Sequence, residues 1–224
     1  MICILSPTLS LADFLTGLSL TKIRPFSKRL IIRDLLFSES LAHAASALYY
    51  DNTLVNALLY TFVIEDDDND FRPGIVHRLD KDTSGLMIIA KNAEYRMKLS
   101  ELFLNRNITK KYLALCHGTP AFLEKKIEAP IGRDKYNRQK MAVRDDGKTA
   151  VSHFKVLEKY KRAFLAEVTI FTGRTHQIRV HAANMGHSLI GDCLYGGREF
   201  YGFKRQALHS AFLEFKEPDT NELI

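Results

Sequence analysis

The segment running from Gly74 to Gly85 (Gly-Ile-Val-His-Arg-Leu-Asp-Lys-Asp-Thr-Ser-Gly) constrains this chain more than any other. It sets Arg78, Asp80, Lys81 and Asp82, with His77, Thr83 and Ser84, among the apolar residues Ile75, Val76 and Leu79. A solvated loop needs no apolar residues threaded through its charges. A core strand would not tolerate four ionisable side chains without partners. The pattern reads as a functional site with Asp80 at its centre. A carboxylate flanked by cations keeps its charge to low pH, and a fixed, partly desolvated aspartate can serve as nucleophile or general base. The competing reading is a plain loop, since Asp82-Thr83-Ser84-Gly85 is good turn chemistry.

With 224 residues, 46% of them hydrophobic, the chain can bury a core of one domain or one domain with a small appendage. No apolar run approaches a membrane span, and the start lacks a basic leader. Cys3, Cys116 and Cys193 are odd in number and far apart, which suits a reducing compartment and points to the cytoplasm. The formal net charge of +6 tilts the odds toward a polyanionic partner, and its distribution says more. Arg133, Lys135, Arg138, Lys140, Arg144 and Lys148 crowd one segment, interrupted by Tyr136 and Met141. The acidic run at 65–70 lacks the spacing and glycine of a calcium loop and reads as a solvated surface.

Periodicity predicts a helix capped by Asn52, with Leu54, Val55, Leu58, Leu59 and Phe62 on one face. The segments at 11–15 and 29–36 also have a helical look. A buried strand is expected at 86–90, a helix from Asn92, a strand at 111–116, paired strands at 150–157 and 163–171, a helix at 176–185 closed by Gly186, and a last strand at 207–215. Hairpins mixed with helices, without regular βαβ alternation, give an α+β class with a mixed, largely antiparallel sheet and flanking helices.

A second constellation is Thr172-Gly173-Arg174-Thr175-His176-Gln177-Ile178-Arg179-Val180-His181. A helix beginning near Thr175 would put residues 175 and 179 on one face, and Arg174 would add a fork for an anion. His176 and His181 are five apart, the wrong spacing for two metal ligands on one helical face. No metal site is expected, and His181 reads as a core histidine. Gly147-Lys148-Thr149 lacks the first glycine of a phosphate loop, and neither GxGxxG nor GxSxG occurs. Tyr112, following Lys110 and Lys111, is a candidate stacking platform for a nucleobase whose phosphates the lysines hold. Taken alone it reads more readily as an amphipathic tyrosine at a strand edge.

These segments, taken in order, resemble the RluA-type pseudouridine synthases, especially their RluD-like branch. Residues 74–86 resemble the family's HRLDxxTSGL motif, and 52–60 the helix before it. Lys110-Lys111-Tyr112, 138–143, 173–181, 186–192 and 207–209 follow the family's pattern, so that the likeness covers about residues 50–216. The resemblance implies a pseudouridine synthase fold with a central RNA-binding catalytic cleft. It implies isomerisation of uridine to pseudouridine in structured RNA, large-subunit ribosomal RNA first and tRNA second, by a monomer without cofactor or metal. Asp80 takes the role of the catalytic aspartate, Tyr112 that of the active-site tyrosine, and Arg179 that of the arginine paired with the aspartate. Arg78 matches a position that fills the gap left by the flipped nucleotide. His77, Thr83, Lys110, Lys111, Arg174, Thr175, His176 and Gln177 are the expected substrate-binding neighbours.

Departures from the pattern also yield expectations. No KPxG precedes 41–46, and the first 40 residues do not read as an S4 RNA-binding domain, so residues 1–40 are taken as a divergent segment and 41–224 as the catalytic domain, trimmed of its first and last family strands. Two alternatives follow: a catalytically inactive RNA-binding or assembly protein, and a metal-dependent hydrolase built on His176, His181 and Asp192.

Overall fold

The computed structural model describes residues 74–200 and 202–224, the strands β1 (Ile2–Leu5) and β2 (Ile31–Ile32), and the helical residues Leu54 and Leu58. It divides the chain into two compact units, residues 1–105 with 218–221 and residues 106–217 with 222–224. The division therefore falls between Asn105 and Arg106. The boundary expected at residue 40 lies outside the described residues, as do the expected helix at 11–15 and the acidic run at 65–70.

In the first unit, Leu54 and Leu58 are buried, as the predicted amphipathic face requires. β3 (Ser84–Gly85) closes the charged motif and β4 (Met87–Ala90) follows it, with every residue of β4 buried. Four consecutive apolar residues with no polar alternation are what a strand covered on both faces needs. β1 runs antiparallel to β4, with Ile4 opposite Ile88, and β2 lies parallel to β1. Ile31 and Ile32 are thus strand residues within the stretch at 29–36 that was expected to be helical.

Helix α1 (Ala93–Leu104) begins as predicted, with the Asn92 side chain accepting a hydrogen bond from the Tyr95 N–H at 2.9 Å. It ends where Arg106 takes a left-handed φ of 60°.

The second unit carries β5 (Ile108–His117), β6 (Glu124–Glu128), β7 (Ile131–Arg133), β8 (Met141–Val143), β9 (Val151–Lys159), β10 (Ala163–Ile170), α2 (Gln177–Asn184) and β11 (Leu208–Phe215). Its main sheet is antiparallel in the order β11-β5-β10-β9-β6. β7 and β8 form a separate hairpin. Phe154, Phe164, Phe215, Leu189 and Ile190 form the fully buried body of this unit. The expected α+β class with a largely antiparallel sheet is present.

Three strands of the second unit were not anticipated. β6 reads Glu-Lys-Lys-Ile-Glu and buries only Ile127, because it is the last strand of the order and charges protect such an edge. β7 and β8 are three residues each, too short to show an alternation, and most of the basic residues lie in the turn between them.

The charged motif enters on Gly74, which sits at φ +71°; a Cβ there would lie 2.4 Å from the Ala90 carbonyl oxygen. The same approach lets the Ala90 N–H donate to the Gly74 carbonyl at 2.9 Å. Gly74→Ala is therefore expected to lower unfolding stability by at least about 1–2 kcal/mol, from the left-handed conformation alone. A urea transition midpoint equal to that of the natural chain would show that the approach to β4 can relax freely.

Candidate functional site

Asp80 stands at the corner of a tight turn. The Thr83 N–H donates to its carbonyl at 3.0 Å, and Asp82 takes φ +69°, a left-handed conformation that aspartate tolerates better than most residues. Asp80 and Thr83 are half-buried, whereas Arg78 and Lys81 are exposed. Solvent thus reaches Arg78 and Lys81 more freely than Asp80. His77 is engaged within its own unit. Its Nε2 accepts the Ile88 N–H at 2.8 Å, and its ring stacks on Phe103 at 4.6 Å between centroids. Those contacts make it a strut between the motif, β4 and α1.

In the second unit the two-residue period of β5 separates the lysines. Lys110, Tyr112 and Ala114 lie on one face and are buried, with Tyr112 only 8% exposed. Tyr112 stands opposite Val168 on β10 and Ser210 on β11. Lys111 projects from the other face, 3.4 Å from Glu167 and 5.4 Å from the centre of the Phe212 ring. The expectation that both lysines flank the tyrosine is thus corrected: only Lys110 shares its face. Burial, with Arg106 adding to it, pulls the Lys110 pKa down.

The second constellation is more tightly wound than its sequence suggested. Helix α2 begins at Gln177, capped by His176 in a left-handed conformation with φ 56°. Thr175 is exposed, outside the helix, and so does not share a helical face with Arg179. Gln177 is buried and uses its whole amide within the chain. Its Oε1 accepts from the Thr172 hydroxyl at 2.7 Å and the Arg174 N–H at 3.1 Å, and its Nε2 donates to the Val151 carbonyl and Ser152 Oγ, each at 2.9 Å. With two acceptor and two donor positions filled, Gln177 shapes the turn. Arg174 Nε donates to the Thr149 carbonyl at 3.0 Å, which orients the rest of its guanidinium.

Donors and acceptors in this network fall in one consistent direction. Gln177 Nε2 donates to Ser152 Oγ, whose hydroxyl donates to His181 Nδ1 at 3.0 Å, and His181 Nε2–H donates to the Ala129 carbonyl at 3.0 Å. His181 is fully buried and neutral, the core histidine expected from its spacing. Its pKa is lowered by burial, against the opposing pull of the Ala129 carbonyl.

Arg179 is the most constrained cation. It is 6% exposed, and its Nε and Nη2 each lie 2.8 Å from an oxygen of Asp192, itself 1% exposed. The guanidinium also lies 4.9 Å from the centre of the Tyr195 ring. The Tyr195 hydroxyl accepts the Met141 N–H at 2.8 Å and lies 2.7 Å from His176 Nδ1. Tyr195 was not among the expected site residues, and Asp192 entered only as a ligand of the alternative hydrolase. Their signal, Gly191-Asp192 followed by Tyr195-Gly196-Gly197, was visible, but nothing local tied it to Arg179. Gly197 shows why the turn is glycine-bound, since a Cβ there would meet the Leu189 carbonyl oxygen at 1.9 Å.

The donor set imagined for a hydrolase is occupied elsewhere: Asp192 by Arg179, His181 by Ser152 and Ala129, and His176 by Tyr195. That reading is set aside. No described helix is long and apolar enough to cross a membrane.

Comparison with known proteins bears on both units. Residues 56–184 match the family model described as RNA pseudouridylate synthase. The chain is 47% identical over 173 residues to a Bacillus subtilis protein named "Uncharacterized RNA pseudouridine synthase YlyB", covering 77% of this chain and 57% of that one. It is 45% identical over 187 residues to the "Ribosomal large subunit pseudouridine synthase D" of Zymomonas mobilis, covering 78% of this chain and 59% of the relative. The chain thus spans less than two thirds of these relatives' lengths. Among solved structures, "Human RNA Pseudouridylate Synthase Domain Containing 1" aligns with a TM-score of 0.59 at 30% identity over 66% of this chain and 65% of its own.

Two predictions follow from this geometry. Asp192→Ala leaves Arg179 buried without its counter-charge and is expected to cost about 3–5 kcal/mol of stability in urea unfolding. A loss under 1 kcal/mol would mean that Arg179 finds another anion. Because the folded pKa of His181 lies below the ordinary histidine value of about 6.5, the unfolded chain takes up this proton first. Stability from this residue is therefore full above about pH 6.5 and declines as the pH falls below it. Urea midpoints at pH 7.5 and 5.5 should show that decline, and His181→Asn should reduce it.

Proposed function

The chain belongs to the RNA pseudouridylate synthase family, and on that premise we propose that it isomerises specific uridines to pseudouridine in structured RNA. Large-subunit ribosomal RNA is the first candidate substrate, because relatives such as the Zymomonas mobilis protein carry that substrate in their names. Transfer RNA is the second. The observation that carries the reading is Asp80. A half-buried carboxylate sits at a hydrogen-bonded turn corner, inside the matched family segment, with exposed cations on both sides.

The reaction is internally balanced. The N1–C1′ bond of uridine breaks, a C5–C1′ bond forms, the C5 hydrogen leaves as a proton, and N1 gains one. No electrons are exchanged with a partner, so the proposed chemistry needs acid–base and nucleophilic groups but no redox cofactor. Asp80 is assigned the central role, either by attack at C1′, by addition at C6, or by removal of a ribose proton. Tyr112 is assigned to stack on the target base and to take part in proton loss from C5. Its burial and the cation Lys110 on the same strand face support that role. Arg179 is assigned to stabilise charge at the reacting centre, and the support for this is the fixed plane that Asp192 and Tyr195 impose on it.

Arg78 and Lys81 are assigned to the phosphodiester backbone and the space vacated by the flipped nucleotide. The basic hairpin of β7 and β8 is assigned to grip RNA. Its tip presents Tyr136, 97% exposed, between Arg133, Lys135, Arg138 and Lys140. Asp134 accepts the Tyr136 and Asn137 N–H groups at 2.8 Å each, which directs its negative charge into the turn. A monomer acting in the cytoplasm completes the proposal.

RNA transcripts carrying 5-tritiated uridine test the reading, since label reaches water only when the C5–C1′ bond forms and the C5 hydrogen departs. The natural chain is expected to release tritium from ribosomal RNA, and Asp80→Asn to lower the rate by at least about a thousandfold. Undiminished release by the Asn variant would remove Asp80 from the chemistry. Salt-dependent RNA binding without release by the natural chain would overturn the catalytic assignment.

A further inference from the structure

We infer that Tyr195 is a positioning residue, which ties the basic hairpin of β7 and β8 to the plane of Arg179. The inference rests on the role assigned to Arg179 above. Its observations are independent of that role.

Tyr195 lies at the end of a short 3-10 helix, Cys193–Tyr195, and makes three unlike contacts. The face of its ring meets the Arg179 guanidinium at 4.9 Å. Its hydroxyl accepts the N–H of Met141, the first residue of β8, at 2.8 Å. That hydroxyl also reaches Nδ1 of His176, the residue capping α2, at 2.7 Å. The ring packs beside Met141 and Val143 against Ile131, Ala150 and Val180, which unites β7, β8 and α2 in one apolar cluster.

The loop that carries Tyr195 is itself fixed. The Ser188 hydroxyl donates to the Tyr195 carbonyl at 2.7 Å, and the Tyr195 N–H donates to the Asp192 carbonyl at 3.0 Å. Asp192 therefore holds the edge of Arg179 while sharing a backbone turn with the ring that holds its face.

An edge contact alone leaves a guanidinium able to tilt about the axis of its paired hydrogen bonds. A ring against its face removes that freedom. Because the same tyrosine hydroxyl binds the hairpin backbone, displacement of the hairpin shifts the ring as well. RNA seated on Arg133, Lys135, Tyr136, Arg138 and Lys140 would then fix the hairpin and Arg179 together. The hydroxyl serves the hairpin and the ring serves the arginine, so conservative and radical substitutions separate the two.

Tyr195→Phe keeps the ring and loses the hydroxyl. It is expected to raise the KM for RNA about fivefold to tenfold with kcat within twofold, as loss of one or two hydrogen bonds would do. Tyr195→Leu loses both and is expected to lower kcat at least tenfold as well. Hydrogen exchange of the Arg179 Nε–H, read by NMR, is expected to speed up at least tenfold in the Leu variant and to stay near the natural rate in the Phe variant.

Unchanged kcat and unchanged Arg179 exchange in a folded Leu variant would overturn the proposal. Equal kcat losses in both variants, accompanied by equal falls in Tm, would also overturn it by showing a structural role only. Should the Leu variant not fold, the Phe variant decides alone, and an unchanged KM overturns the link to the hairpin. Absence of turnover by the natural chain would instead strike the functional reading. RNA affinity by fluorescence anisotropy, with Arg179 exchange, would then decide the positioning role.

Discussion

A guanidinium kept 6% exposed must have a counter-charge of matching geometry, and in this chain that demand falls on Asp192, thirteen residues away on a loop. Taking both ions out of water costs several kcal/mol each, and two parallel hydrogen bonds at 2.8 Å are what offsets it. Much of the second unit is organised by that requirement. The loop must bring Asp192 back to α2, so it is wound around Gly191, Gly196 and Gly197, two of them at positive φ and Gly197 pressed on the Leu189 carbonyl. The same winding delivers Tyr195 to the face of Arg179 and its hydroxyl to β8. A structural ion pair has thus determined which side chains surround the cation that the family motif singles out.

The hydrogen-bond chain beneath α2 does a related job for the backbone. Thr172, Gln177, Ser152 and His181 link the turn after β10 to β9 and to the segment before β7, with every donor matched to one acceptor. A chain of bonds in a water-poor interior holds its members in one arrangement, because any break leaves a buried polar group unpaired. This rigidity allows His176 to keep a left-handed conformation at the helix start. In the first unit, Gly74, His77 and the Asp80 turn form a smaller version of the same device, in which backbone bonds to β4 set the direction of the motif.

Long elements with regular apolar spacing were legible in the sequence. The buried run of β4, the Asn92 cap, the paired strands β9 and β10, α2 and β11 all announce themselves through period and capping. β6, β7 and β8 did not, because β6 is an edge strand whose charges erase alternation and β7 and β8 are only three residues each. The motif around Asp80 and the cation at Arg179 were visible as residues. Their immediate companions were harder to read. Gln177 and His77 were expected beside the substrate because they lie within charged, polar motifs, and their atoms are bonded to backbone that only folding brings near. Lys111 looked equivalent to Lys110, and a two-residue strand period sends it to the opposite face.

By itself, then, the sequence determined the family, the α+β class and the ionisable residues available for chemistry. Those properties reside in residue identity and in spacing over a few positions along the chain. The tertiary structure decided which of those residues are struts, which share a face, and which loop residues hold Arg179. Such pairings depend on distances between segments far apart in sequence. Asp192 and Tyr195 acquire their roles only when the loop after α2 folds back and burial makes an unpaired charge too costly to keep.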